Sequence, residues 1–285
     1  MKIRKAVIPA AGFGTRFLPA TKAQPKEMLS VLDKPLIQYS VEEAVNSGIE
    51  NICVIISRGK SSIEDHFDKS PELESFLKEK KKTEFLDQVQ SISNMAEFCY
   101  IRQPQALGLG HAILMAEEFV GNEPFVVLLP DDIFDCQVPA IKQLINVYEE
   151  YGSSVIILKR INQEETKKYG VIKPEKVKPR LFELKDMIEK PGPEKAFSDL
   201  GIIGRYVFNP DIFDAIRQTE PDHRGEIQIT DAIKILLKKE SVYGYLFEGI
   251  RYDAGDKAGF IRATIELALK RSEFKKIVQD HTKNR

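Results

Sequence analysis

Lys5-Ala6-Val7-Ile8-Pro9-Ala10-Ala11-Gly12-Phe13-Gly14-Thr15-Arg16 begins as a strand and ends as a loop. Its first half, Lys5–Ala10, is apolar and suits an extended backbone, and two glycines then break the pattern. Glycine lacks a Cβ, so the backbone there can approach a ligand and turn its N–H groups outward, which suits a polyphosphate. Two better-known glycine motifs do not fit. A dinucleotide fingerprint needs glycine or alanine at position 17, which is Phe17. A Walker A loop ending at Gly59-Lys60-Ser61 needs glycine at position 54, which is Val54. Taken alone, the Gly-x-Gly turn is explained equally well as a tight strand-to-helix connection with no ligand.

Outward from that stretch, short β-branched runs alternate with segments of helical period, the pattern of an α/β fold. Asn51–Ile56, Phe98–Arg102, Phe125–Leu129, Ser153–Lys159, Glu183–Glu189 and Ile202–Phe208 read as strands. Phe125–Leu129 is the most apolar and is expected at the centre of the sheet, covered on both faces. Helices are expected over Pro35–Ser47, through Ala112–Val120, near Val138–Tyr151, and around Ile229–Leu237 and Ile261–Leu269. Lys60–Asn94 is charged and reads as two or three exposed helices, one opened by Pro71. Tyr169–Tyr206 is richer in Pro and Gly and reads as a β-rich excursion. No repeat or linker divides the chain, so residues 1–285 are expected to form one domain, with a C-terminal tail over 271–285 whose last dozen residues are charged and open to fraying.

Composition narrows the function. Forty-two Lys plus Arg stand against 43 Asp plus Glu, a formal charge of −1 among 285 residues. No excess positive field exists to hold a nucleic acid or an anionic membrane. The longest apolar runs are strand-sized, so no bilayer span is expected, and the N-terminal one is too short for a signal peptide. Cys53, Cys99 and Cys136 are too far apart for C-x-x-C chemistry and argue against a disulfide framework, which points to the cytoplasm. His66, His111, His223 and His281 are scattered and make no zinc signature. His111, early in a helix, reads as a hydrogen-bonding rather than a catalytic residue.

Several other positions carry chemistry. The irregular connection after the glycines holds Arg16, Lys22 and Lys26, a cationic set that either clamps triphosphate oxygens or is simply solvated. Asp131 ends the most apolar strand, at the edge where open α/β sheets bind ligands, and Asp253 follows another short strand. Such carboxylates hold a magnesium ion, which needs only one or two protein oxygens, or else cap turns; the residues alone leave both open. Asp132 points elsewhere if strand geometry persists. Glu189-Lys190-Pro191 places an anion and a cation at a strand end, which is a surface ion pair or a sugar-phosphate site.

The motifs taken together resemble the sugar-nucleotide pyrophosphorylases, and among them the branch that makes UDP-glucose. The likeness rests on Ala10-Ala11-Gly12-Phe13-Gly14-Thr15-Arg16 with Pro25-Lys26-Glu27-Met28-Leu29. It runs on through Gly108-Leu109-Gly110-His111-Ala112, Leu129-Pro130-Asp131-Asp132, Tyr169-Gly170-Val171, Glu189-Lys190-Pro191, Gly204-Arg205-Tyr206 and Asp253-Ala254-Gly255. The resemblance implies a Rossmann-like nucleotide-diphospho-sugar transferase fold, a mixed central sheet flanked by helices with a β-rich sugar-binding excursion. It implies residues 1–160 mainly for the nucleotide and 161–270 mainly for the sugar.

The implied reaction transfers uridylyl from UTP to glucose 1-phosphate with Mg²⁺, in a homodimer or homotetramer. The implied roles follow. Ala10, Ala11, Gly12, Gly14, Gln103 and Gly108 take the nucleotide; Arg16, Lys26 and Lys190 are catalytic; Gly170, Glu189 and Lys190 take the sugar phosphate; Asp131 and Asp253 hold the metal. Ser198-Asp199-Leu200-Gly201 departs from the family pattern and weakens the transfer of sugar contacts near position 199. The loop Pro104–Leu107 departs too. The alternatives are the same chemistry with dTTP, a catalytically silent sugar-nucleotide sensor and, more distantly, a dehydrogenase.

Overall fold

The structure, a computed structural model, describes residues 2–283. The chain runs β1 (Lys5–Pro9), β2 (Ser30–Val31), β3 (Lys34–Pro35), α1 (Leu36–Asn46), β4 (Asn51–Ile56), α2 (Ser61–Phe67), α3 (Pro71–Glu79) and α4 (Thr83–Ser93). Then come β5 (Glu97–Arg102), α5 (Gly108–Leu114), α6 (Glu117–Val120), β6 (Phe125–Leu128), β7 (Asp132–Asp135), α7 (Ala140–Tyr151) and β8 (Val155–Arg160). The second half holds β9 (Val171–Lys178), β10 (Leu181–Ile188), β11 (Leu200–Phe208), α8 (Asp211–Arg217), α9 (Ile229–Leu236), β12 (Tyr243–Leu246), β13 (Ile250–Asp253), α10 (Lys257–Lys270) and α11 (Ser272–Lys283).

Nine strands form one mixed sheet in the order β5-β4-β1-β6-β11-β8-β12-β10-β9. β5, β4, β1 and β6 are mutually parallel, and β11 pairs antiparallel with both β6 and β8. All four residues of β6 and all nine of β11 are buried. Full burial of a large apolar side chain stabilises by roughly 1.5–3 kcal/mol, which favours a central place for such strands over an edge. Side chains alternate between the two faces, so each face has its own core. Val7, Val127 and Phe208 lie in one; Ile8, Leu128 and Val207 lie in the other.

The expected strands and most helices stand within two residues of their expected bounds. The segment Ala112–Val120 differs: Ala116 donates to Ile113 O at 3.0 Å, a tight turn that splits the expected helix into α5 and α6. Most of the charged tail is the helix α11, which runs through Lys283. Positions 284–285 of that expected tail lie outside the described residues. No described helix is long and apolar enough to cross a membrane.

Two features position the site. First, β1 has β4 on one side and β6 on the other, so the chain leaves the sheet in opposite directions around it and opens a crevice beyond the strand ends. The glycine loop follows β1, and Asp131 follows β6, both at that crevice. Second, β7 and β13 form a separate antiparallel pair with Asp132 opposite Asp253. Ala254 N donates to Asp131 O at 2.9 Å, which ties the late strand to the early loop.

Candidate active site

The smaller of two adjoining cavities measures about 370 Å³ and is lined by Ala11, Gly12, Gly14, Lys26, Gln103 and Gly108, among others. Gly14 has φ +65°, a left-handed conformation that glycine adopts without strain. A Cβ there would stand 3.2 Å from Lys26 Cβ, so the turn and the lysine pack directly together. Gln103 is nearly buried; its Nε2 donates to Gly108 O at 3.3 Å and lies 2.9 Å from His111 Nδ1. Ala10 does not line the cavity. It is fully buried, its N–H goes to Ile55 O and its carbonyl accepts from Lys60. Both backbone groups of Ala10 are thus taken up inside the protein, while its neighbours Pro9 and Ala11 line the cavity.

The larger cavity, about 650 Å³, is lined by Arg16, Gly170, Glu189, Lys190, Arg251 and Asp253, among others. Lys190 Nζ lies 2.7 Å from Glu189 Oε1. Lys190 has φ +45°, a costly conformation for a residue with a Cβ. Its N–H is held by Tyr169 O at 3.2 Å. A Cβ on Gly170 would stand 3.2 Å from Glu189 Oε2, so that glycine leaves the carboxylate its space. The departure at Asp199 falls away from this cavity: Asp199 pairs with exposed Arg160 and lines a different depression.

Asp131, Leu129 and Leu109 line both cavities, so Asp131 stands on the seam. Its Oδ2 accepts from Lys26 Nζ at 2.7 Å. Burial acts to raise the Asp131 carboxyl, but the Lys26 charge and hydrogen bond outweigh it and hold it below the usual value. Burial likewise acts to lower Lys26, and Asp131 and Glu27 outweigh that. The pair is therefore ionised. Beside it, Gly255 leaves a notch: a Cβ there would stand 3.0 Å from Asp253 Oδ1, 3.1 Å from Asp131 Oδ2 and 3.4 Å from Arg16 Nη1. Arg16 donates from Nη1 to Gly255 O at 3.1 Å. Two carboxylates and a guanidinium thus converge on one glycine. Lys22 lines neither cavity.

Other groups in and behind this wall carry no local sequence signal; Arg251 and Asp132 line the larger cavity, and Arg205 and Lys60 are buried beneath the surface. Arg251 lies 2.6 Å from Asp132 Oδ1 and 3.0 Å from Asp253 Oδ2, and donates to Tyr169 Oη at 2.9 Å. Asp132 does point away from Lys26, and its Oδ2 accepts from Gly204 N at 3.0 Å. Burial raises the Asp132 carboxyl even against the pull of Arg251. Arg205, completely buried, pairs with Glu43 at 2.7 Å and donates to Leu129 O, Gly204 O and Asp132 O, framing the loop that carries Asp131. Lys60 bonds Glu27 at 2.8 Å as well as Ala10 O. Lys60 therefore braces the start of the glycine loop from beneath. Glu27 lines the smaller cavity, and its Oε1 is buried without a partner among the described residues.

A third cavity of about 510 Å³, between α7 and β10, carries none of these groups, and its cations already have partners in Glu150 and Glu248.

A glycine loop, basic side chains and a strand-end carboxylate, set between a smaller and a larger cavity, define a site for joining a nucleotide to a second phosphorylated group. Residues 5–269 match the Nucleotidyl transferase family, and the chain belongs to it. It is 53% identical over 284 residues to "UTP--glucose-1-phosphate uridylyltransferase 1" of Staphylococcus saprophyticus, covering 100% of this chain and 99% of the relative. Among solved structures, it is similar to a UTP-bound UGPase from Acinetobacter baumannii, with a TM-score of 0.91 and 36% identity over 99% of each chain. A UDP-glucose pyrophosphorylase complexed with UDP-glucose aligns with a TM-score of 0.86 and 44% identity, covering 95% of this chain and 100% of that one.

Proposed function

We propose that this protein transfers the uridylyl group of UTP to glucose 1-phosphate, giving UDP-glucose and pyrophosphate. The observation that carries the reading is Asp131, placed where two cavities meet, one beside the glycine loop and one beside Glu189 and Lys190. Residues 1–160 supply most of the nucleotide side and residues 161–270 most of the sugar side. A cytoplasmic enzyme agrees with three free cysteines.

An oxygen of the sugar phosphate attacks the α-phosphorus of UTP. The bond from that phosphorus to the bridging oxygen breaks, and the electron pair leaves with pyrophosphate. The nucleophile is already anionic, so the obstacle is repulsion between phosphates, and catalysis is positioning plus charge neutralisation. In this reading Gly12 and Gly14 give the triphosphate an open backbone approach. Arg16 and Lys26 take up charge on the leaving pyrophosphate, and Lys190 holds the attacking phosphate. Glu189 accepts hydrogen bonds from sugar hydroxyls beside the space left by Gly170. Gln103 and Gly108 meet the base.

The donor set fits a hard divalent cation. Asp131 and Asp253 turn oxygens toward the notch at Gly255, and no cluster of three metal-ligating side chains exists among the described residues. Mg²⁺ suits such a pair, because it keeps waters and takes phosphate oxygens rather than needing a full protein cage. When bound, it supplies positive charge to the reacting phosphates.

The test is pyrophosphate release from pairs of UTP or dTTP with glucose 1-phosphate or galactose 1-phosphate, with and without Mg²⁺. UTP with glucose 1-phosphate and Mg²⁺ is expected to be fastest. A preference for dTTP would move the chain to thymidylyl transfer, and no turnover with any pair would make it a sensor.

A further inference from the structure

Gln103 lies just past β5 and presents its amide to the smaller cavity. Such an amide reads opposite chemistry depending on which end faces the ligand. Here one end is decided by contact: Gly108 O, 3.3 Å from Nε2, is a carbonyl and only accepts, so the amide nitrogen belongs on that side. His111 Nδ1, 2.9 Å away, is the nearer partner of that same nitrogen. Oε1 has no partner among the described residues and is left for the ligand. The turn that carries the ring is itself fixed. Gly110 N donates to Ile227 O at 2.9 Å, and a Cβ on Gly108 would stand 2.8 Å from the Ile227 backbone, so the first turn of α5 sits tightly on that segment.

We propose that His111 is a positioning residue that secures the polarity of base recognition: its unprotonated Nδ1 joins Gly108 O in holding the Gln103 amide nitrogen, which leaves Oε1 toward the nucleotide. The inference rests on the reading of the smaller cavity as the nucleotide side. It requires the ring proton on Nε2. Burial, which lowers the pKa of this histidine below the ordinary value, favours the neutral ring. An outward Oε1 accepts from a ring N–H. Uracil and thymine carry that N–H at N3, whereas cytosine presents a lone pair there, and two acceptors facing each other repel. The device therefore selects imide-type pyrimidines against cytosine and is silent on the thymine methyl. Without His111 only the longer contact to Gly108 O remains, and an amide held that loosely turns its NH₂ to a cytosine.

The experiment measures kcat/KM for UTP and for CTP with glucose 1-phosphate and Mg²⁺ in wild type, His111→Leu, His111→Asn and Gln103→Ala, with thermal melting alongside. His111→Leu should lower the UTP-to-CTP ratio about tenfold or more, equivalent to about 1.4 kcal/mol. His111→Asn, whose Oδ1 stands where Nδ1 stood, should keep the ratio within about threefold of wild type. A simple packing defect would slow both nucleotides together and leave the ratio alone. An unchanged ratio in His111→Leu, with a reduced one in Gln103→Ala, overturns the role of His111 and leaves the nucleotide reading standing. Equal loss in folded Leu and Asn variants overturns the acceptor argument. An unchanged ratio in Gln103→Ala as well overturns the assignment of this cavity to the base. Should His111→Leu fail to fold, His111→Ala carries the same expectation.

Discussion

Replacing Gly255 by alanine puts one methyl group between two carboxylates. Its carbon would stand 3.0 Å from Asp253 Oδ1 and 3.1 Å from Asp131 Oδ2, closer than relaxed carbon–oxygen contact. The backbone at 255 does not need φ above zero, and its N–H bond to Asp253 Oδ1 at 3.0 Å survives the change. Each carboxylate must therefore yield by a few tenths of an ångström while the fold remains. Removing glycine's freedom from the unfolded chain stabilises by about 0.4–1 kcal/mol, which opposes the crowding. Net stability should move by no more than about 1 kcal/mol, a few degrees in Tm for a chain of this size. A cation shared by these oxygens fares worse. Losing one charge-assisted contact costs about 1.5–3 kcal/mol, or roughly 10- to 150-fold in the Mg²⁺ concentration for half activity. The assay is initial pyrophosphate release against free Mg²⁺ at saturating UTP and glucose 1-phosphate, with melting followed by fluorescence. An unchanged Mg²⁺ requirement with unchanged turnover would show that Asp131 and Asp253 do not share a metal.

Lys190→Met should lower turnover by roughly a hundredfold and raise the sugar-phosphate KM, because the lost charge counts most as the two phosphates close; Lys190→Arg should rescue it only in part. Steady-state kinetics at saturating UTP decide this, and a rise in KM alone would reduce Lys190 to docking. Arg205→Met should cost about 3–5 kcal/mol by leaving Glu43 charged and buried, a loss read by chemical denaturation and much reduced in the Glu43→Leu/Arg205→Met double variant. His66, whose pKa burial lowers, binds its proton more weakly folded than unfolded. Its contribution is therefore flat above the unfolded value near 6.5 and falls as the pH drops below it. Tm followed from pH 8 to 5.5 should decline less steeply in His66→Gln, and parallel curves would remove His66 from the account.

What the sequence disclosed was local. The glycine turn, the apolar run before Asp131 and the Glu189-Lys190 pair each sit within a few neighbouring residues, and their residue types carry the information. The strand Ile202–Phe208 was legible for the same reason. Arg205 was quoted within a motif, yet its work depends on Glu43, a helix residue far back in the chain, and no periodicity links them. Arg251 is similar: its partners Asp132 and Tyr169 become neighbours only when β13 pairs with β7. Lys60 sat in a glycine-lysine-serine sequence that failed as a nucleotide motif, and nothing local says that its ammonium reaches back under Ala10. Ranking Asp132 below Asp131 rests on the premise that strand alternation persists, but β6 ends at Leu128 and a turn joins Leu129 to Asp132, so its direction, like its bond to Gly204, depends on the folded sheet.

Most cations at the seam and along the sugar wall already have carboxylate partners: Lys26 has Asp131, Lys190 has Glu189, and Arg251 has Asp132 and Asp253. Fields from such close pairs largely cancel beyond a Debye length of about 8 Å in physiological salt. The cleft therefore draws a triphosphate from solution only weakly, and raising the ionic strength takes little away. Under the proposed function, anion binding is an exchange of partners: a phosphate oxygen that takes Lys26 would release an Asp131 oxygen at the seam. The empty protein thus carries its own counterions in the form of side chains, and a modest dependence of UTP affinity on added salt is the consequence.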